Sequence, residues 1–135
     1  MLDPMPFVGA WSYRSFRNDP DLKKPFNDLA FGLGVLDLAE PQFGRLTGTL
    51  GGEGWSLDLN GHYTYGAPFT LRFQGSGAIG GELWVYDYVG YLIPVWPHGV
   101  AQTPAIVGSV VRTADHSGGQ AKAGYAASFI AIQSR

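Results

Sequence analysis

Residues 43–75 read FGRLTGTLGGEGWSLDLNGHYTYGAPFTLRFQG, and glycine cuts this stretch into short runs of alternating apolar and polar residues. Trp55, Leu57 and Leu59 alternate with Ser56, Asp58 and Asn60; Phe69, Leu71 and Phe73 alternate with Thr70, Arg72 and Gln74. A period of two places each apolar set on one face of a strand, the mark of antiparallel strands sharing one core. Gly51-Gly52-Glu53-Gly54 and Gly66-Ala67-Pro68 supply the turns between them.

Outward from this stretch the same rhythm predicts eight strands, over residues 7–16, 28–39, 43–50, 55–65, 69–75, 82–92, 105–113 and 124–132. In the second of them Phe31, Leu33 and Val35 share one parity. Residues 17–27 form a polar loop in which Pro20 and Pro25 exclude a long helix. Eight antiparallel strands joined by short loops have unpaired edges unless they close, so the expected fold is an all-β, eight-stranded up-and-down barrel. Glycines within the strands suit the sharp coiling of a small barrel. A two-sheet β-sandwich is the alternative. Either way the 135 residues make one domain, residues 1–135, with a continuous core.

Composition narrows the function classes. With 45% hydrophobic and 15% charged residues the chain is globular, and 20 glycines with 14% aromatics suit an all-β protein rich in turns. A net charge of −2 leaves no electrostatic footprint for nucleic acid. No apolar run reaches the length of a membrane span. Residues 1–6 carry Asp3 and two prolines in place of a basic and then apolar leader, so no secretion signal is expected and a cytoplasmic location is. The absence of cysteine removes disulfides, thiolate metal sites and cysteine nucleophiles together.

The first strand opens on Gly9-Ala10-Trp11 after a proline-containing lead-in. This resembles the Gly-x-Trp start shared by lipocalins and avidins, calycin-type eight-stranded barrels that bind small, mostly apolar ligands. The resemblance implies that shape and a ligand cavity. Lipocalins carry an arginine near the last strand that covers the tryptophan, and Arg112 is the nearest candidate here. Ser12-Tyr13-Arg14 stands where avidins use a small polar ligand-contacting run, so biotin binding is not implied.

Other motifs reduce to local structure or to candidates. Gly75-Ser76-Gly77-Ala78-Ile79-Gly80 matches the dinucleotide-binding letters, but a strand rather than a helix follows, and the stretch reads as a hairpin turn. His62, His98 and His116 lack metal-ligand spacing, so no metal site is expected. Trp84, Tyr86 and Tyr88 share one face of the sixth strand, and Asp87 lies on the other; which face points inward is open. An inward aromatic face would set hydroxyls in an apolar wall, as ligand pockets do. An inward Asp87 would be a candidate general acid or base. Arg112 closes an apolar run and could receive a ligand carboxylate or simply stack on a ring. The loop at residues 92–99, with Trp96 and His98 between prolines, is a candidate cavity mouth.

Three functions follow as expectations. The first is binding of a small apolar or aromatic molecule inside the barrel, as a carrier or sensor, with no cofactor required. Trp11, Trp55, Leu57, Leu59, Phe69, Leu71, Phe73 and Trp96 would supply wall, and Tyr86, Tyr88 and Arg112 orientation. The second is a small barrel enzyme, an isomerase, cyclase or hydrolase, with Asp87, His98 and His116 as acid–base candidates. The third is an interaction protein, a homodimer packed through exposed aromatics or the alanine-rich eighth strand (Ala123, Ala126, Ala127, Ala131).

Overall fold

The computed structural model describes residues 5–134. Residues 1–4, part of the predicted leaderless start, and residue 135 lie outside the described residues. Eight strands follow one another: β1 (Gly9–Phe16), β2 (Ala30–Gln42), β3 (Arg45–Gly52), β4 (Trp55–Thr64), β5 (Thr70–Ile79), β6 (Glu82–Leu92), β7 (Ala105–Arg112) and β8 (Ala126–Gln133). One short helix, α1 (Phe26–Leu29), precedes β2. Each strand pairs antiparallel with its neighbours in sequence, and β8 pairs with β1, so the sheet is a closed up-and-down barrel and not a two-sheet sandwich.

The period-two pattern is realised on the wall. Leu57, Leu59 and Tyr63 of β4 and Leu71 and Phe73 of β5 are buried, while Ser56, Asp58, Asn60, Thr70, Arg72 and Gln74 face outward. On β6 the aromatic set turns inward: Tyr86 and Tyr88 are buried, and Asp87 receives a hydrogen bond from Gln74 on the outer face.

On β2, Phe31 does not share a face with Leu33 and Val35, although the three share one parity in the sequence. Leu33 and Val35 lie on the outer face, 61% and 52% exposed, and the inward positions are Gly32, Gly34, Leu36 and Leu38. Between β1 and β2 the pairing steps from Ser15↔Gly32 to Phe16↔Ala30, which leaves Phe31 as the extra residue of a bulge. The bulge turns Phe31 against the core although its parity is that of Leu33.

β5 also runs four residues past the expected stop at Gly75. Gly75 and Gly77 belong to the strand, and β4 lies so close that a Cβ on Gly77 would stand 2.5 Å from the Ser56 carbonyl oxygen. The turn is Gly80-Gly81 alone, both with positive φ (60° and 81°), as a two-residue hairpin loop of this twist requires.

In a closed meander the connections alternate between the two ends. The β1–β2, β3–β4, β5–β6 and β7–β8 connections share one end; the lead-in to β1 and the β2–β3, β4–β5 and β6–β7 connections share the other. The second end is plugged. Phe7 and Trp11 are wholly buried, the Trp11 indole N–H donates to the Phe7 carbonyl at 2.9 Å, and the Phe7 ring meets Tyr63 edge-on at 5.1 Å. Tyr63 donates its hydroxyl hydrogen to Glu40 at 2.9 Å.

Candidate functional site at the open end

The barrel interior is divided at mid-height by aromatic rings. Phe129 stacks on Tyr13 at 5.6 Å and meets Tyr88 edge-on at 5.9 Å, and Tyr88 stacks on Phe73 at 4.7 Å. Above this floor lies a cavity of about 430 Å3 that opens at the first end. Tyr13 and Ser15 come from β1, Phe31 and Gly32 from β2, Trp55 and Leu57 from β4, Ile79 from β5, and Trp84, Tyr86 and Tyr88 from β6. Glu53 and Gly54 of the β3–β4 turn, Arg112 at the end of β7, and His116 complete the lining.

His116 reaches the cavity through the folding of residues 113–125. That segment doubles back so that His116 bridges Ala121 through a pair of backbone hydrogen bonds. Ser117, Gly118 and Gly119 take positive φ in the bend. The Gly118 amide donates to Glu82 at the start of β6, which ties the segment to the rim, and the Ala123 amide donates to Asp115 within the segment itself. The imidazole then lies flat on the Trp84 indole, centroids 3.8 Å apart and planes within 9°.

A hydrogen-bonded chain crosses this rim. The Arg112 Nε–H donates to the Tyr86 hydroxyl oxygen at 3.0 Å. The Tyr86 hydroxyl lies 2.8 Å from His116 Nε2, and His116 Nδ1 lies 2.8 Å from the Ser117 hydroxyl. Arg112 can only donate. Tyr86 therefore accepts from Arg112; the arrangement that also uses the Tyr86 hydrogen directs it to His116 Nε2 and places the His116 proton on Nδ1, toward Ser117. Burial, and then the Arg112 charge, hold the His116 pKa below the usual imidazole value against a weaker opposite pull from Glu82. A neutral imidazole with this tautomer is what the chain needs.

Deeper in, the rings of Tyr13 and Tyr88 meet edge-on at 6.3 Å. Burial pushes the Tyr13 pKa up to about 12 and carries Tyr88 well above the ordinary phenol value, so both stay protonated. The Trp84 indole N–H is buried without a hydrogen-bond partner.

The structure brings together Trp55, Leu57, Tyr86, Tyr88, Arg112 and His116 of the sequence candidates. Phe73 stands directly under the cavity against Tyr88. Trp11, Leu59, Leu71 and Phe69 belong to the plugged half, Phe69 packing on Tyr65 at 4.8 Å. Arg112 and Trp11 stand at opposite ends, so Arg112 does not cover Trp11 as the lipocalin pattern would have it. The loop carrying Trp96 and His98 is the β6–β7 connection and so sits at the plugged end, with Trp96 71% exposed. Asp87 faces outward. Tyr13, Ser15, Phe31, Glu53, Ile79 and Trp84 are lining residues that the sequence-based candidate set lacked. For Trp84 the signal was present, since it shares the parity of Tyr86 and Tyr88.

A second concavity, about 670 Å3, lies over β1, β7 and β8 and beside α1, where Phe26, Leu33, Tyr91, Val107 and Ile130 surround Arg14. Among the described residues, no group of histidine and acidic side chains is placed to hold a metal ion, and no helix is long and apolar enough to cross a membrane. No protein-family model, curated protein or solved structure matches the chain at a significant level.

Proposed function

We propose that the protein binds a small apolar or aromatic molecule in the cavity at the open end of the barrel, as a carrier or sensor of calycin-like type. The observation that supports this reading is the construction of the cavity. Its wall is mostly apolar and aromatic, and its volume falls in the range of small-molecule sites. Glu53, Arg112 and His116 stand at the rim, with only the Ser15 and tyrosine hydroxyls as polar groups further in. Such an arrangement gains affinity from the wall and orientation from the rim.

Native mass spectrometry of protein purified without denaturation tests it. The expected result is an excess mass of a few hundred daltons per chain, on the order of a drug-sized ligand, which disappears on denaturation. A bare chain mass, with no uptake when apolar aromatic compounds are added, would refute the reading. The same spectrum reports whether two copies associate; Ala127 and Ala131 of β8 form no outer packing face for that, since both are buried inside the barrel.

A second reading, a small barrel enzyme, draws support from the Tyr86–His116–Ser117 chain, which brings a proton-carrying group to the cavity. His116 would act there, without Asp87 or His98. Conversion of a bound compound by the wild-type protein and not by His116→Gln would favour it; unaltered recovery of every retained ligand would count against it.

A further inference from the structure

The cavity rim holds a cation with no acidic partner. The ion pairs among the described residues are Lys24–Asp19 and Lys122–Asp115, and neither involves Arg112. The Arg112 guanidinium is instead held by neutral groups. Its Nε–H goes to Tyr86, one Nη1 hydrogen goes to the Lys122 carbonyl at 3.3 Å, and the rings of Phe31, Tyr86 and Tyr125 lie 5.2–5.6 Å from its central carbon. Nη2 and the second Nη1 hydrogen have no protein acceptor among the described residues. The guanidinium is half-buried, so water can reach its remaining hydrogens. An apolar ligand entering the cavity would displace that water, and ring faces alone offset only part of that cost, whereas a counter-charge carried by the ligand would compensate it.

We propose that the ligand is an aromatic or apolar monocarboxylic acid whose carboxylate takes the free Nη1–Nη2 edge of Arg112 while its apolar part enters the cavity. This rests on the cavity-binding reading above and names the chemistry of its ligand. Arginine presents that edge as a fork matching the two oxygens of a carboxylate. Because Tyr86 and the Lys122 carbonyl fix the other donors, the fork is oriented before the ligand arrives. The tyrosine hydroxyls below are protonated and offer no competing anion. A single negative charge suits the rim better than a phosphate dianion: Glu53 also lines it and repels any anion, a dianion about twice as strongly, while Arg112 offers one compensating charge.

The test compares two probes of the same shape, 1-naphthaleneacetate and neutral 1-naphthaleneacetamide, titrated into the intact chain at pH 7.5 by calorimetry. The acid is expected to bind the wild-type protein at least about tenfold more tightly, which is about 1.4 kcal/mol. Arg112→Gln, checked for folding by circular dichroism, should bind both probes alike. Equal or tighter binding of the amide to wild type would overturn the carboxylate proposal and leave the cavity reading standing. A preference for the acid that survives Arg112→Gln would also overturn it, since the selectivity would then lie elsewhere. Binding of neither probe would overturn both readings. If Arg112→Gln does not fold, the wild-type acid-to-amide ratio still decides.

Discussion

Replacing Tyr86 by phenylalanine removes one oxygen atom and leaves the ring, so the lost stability reports on the rim chain itself. The hydroxyl accepts from Arg112 at 3.0 Å and donates to His116 Nε2 at 2.8 Å. Arg112 is only half-buried, so water can take over its Nε–H. His116 is 4% exposed and stacked on Trp84, so its Nε2 would be left buried without a donor. An unsatisfied buried polar atom costs roughly 1–3 kcal/mol, and packing is unchanged, so the expected loss is about 2 kcal/mol. In urea, with a slope of roughly 1–3 kcal/mol per molar, the midpoint should fall by about 1 M with the slope unaltered. The same change frees the lone pair on Nε2 for a proton, so the His116 pKa, followed by NMR, should rise toward the ordinary imidazole value. A stability loss under about 0.5 kcal/mol, or a fall in the His116 pKa, would refute both the donor assignment and the tautomer derived from it.

Other perturbations probe the rest of the account. Phe129→Ala opens the aromatic floor and should cost roughly 3–5 kcal/mol by urea denaturation, while letting longer ligands bind. Unchanged stability would mean that the floor is not packed as described. The depressed His116 pKa implies that the unfolded chain takes up a proton first as pH falls, so His116 contributes stability above about pH 6.5 that is lost progressively below it. His116→Gln should remove that component, leaving a flatter melting-temperature profile between about pH 7 and 5, the region where ordinary histidine titrates. Tyr13 behaves in the opposite sense: its folded value of about 12 against 10.0 means stability held below pH 10.0 and lost as pH rises through 12. Tyr13→Phe should diminish that alkaline loss. Asp87→Asn, on the outer face of β6, and His98→Ala, at the other end of the barrel, should leave ligand affinity unchanged within about 0.5 kcal/mol, as surface substitutions do. A larger loss in either would relocate the site.

The barrel was legible because its evidence is local and repetitive. Alternation along β4 and β6, and glycine between hairpins, name strands without tertiary information, and the bounds of β6 are those expected. Which face of β6 turns inward was open from the sequence, because both faces carry apolar residues, and closure of the barrel decides it for Tyr86 and Tyr88. The misreadings have physical causes. Phe31 was grouped with Leu33 and Val35 because a bulge, which depends on the partner strand, shifts parity where no residue type announces it. Gly75 was read as a stop because glycine serves both turns and close approach, and only the position of β4 tells which. Trp96 and His98 were expected at the mouth, although a meander puts every second connection at the end away from Arg112. His116 was visible only as an isolated histidine. Its placement on Trp84 comes from the doubling back of a segment that ordinary strand patterns do not encode.

The four tryptophans make the central claim directly measurable, because each indole N–H reports a different part of the barrel. Trp55 and Trp84 line the cavity, Trp11 is buried at the plugged end, and Trp96 is exposed on the β6–β7 connection. A 15N–1H spectrum recorded as 1-naphthaleneacetate is added should show the Trp55 and Trp84 indole signals moving together and saturating, while those of Trp11 and Trp96 stay in place. Movement of Trp96 or Trp11 with Trp55 and Trp84 unmoved would place binding at the other end of the barrel and contradict the account.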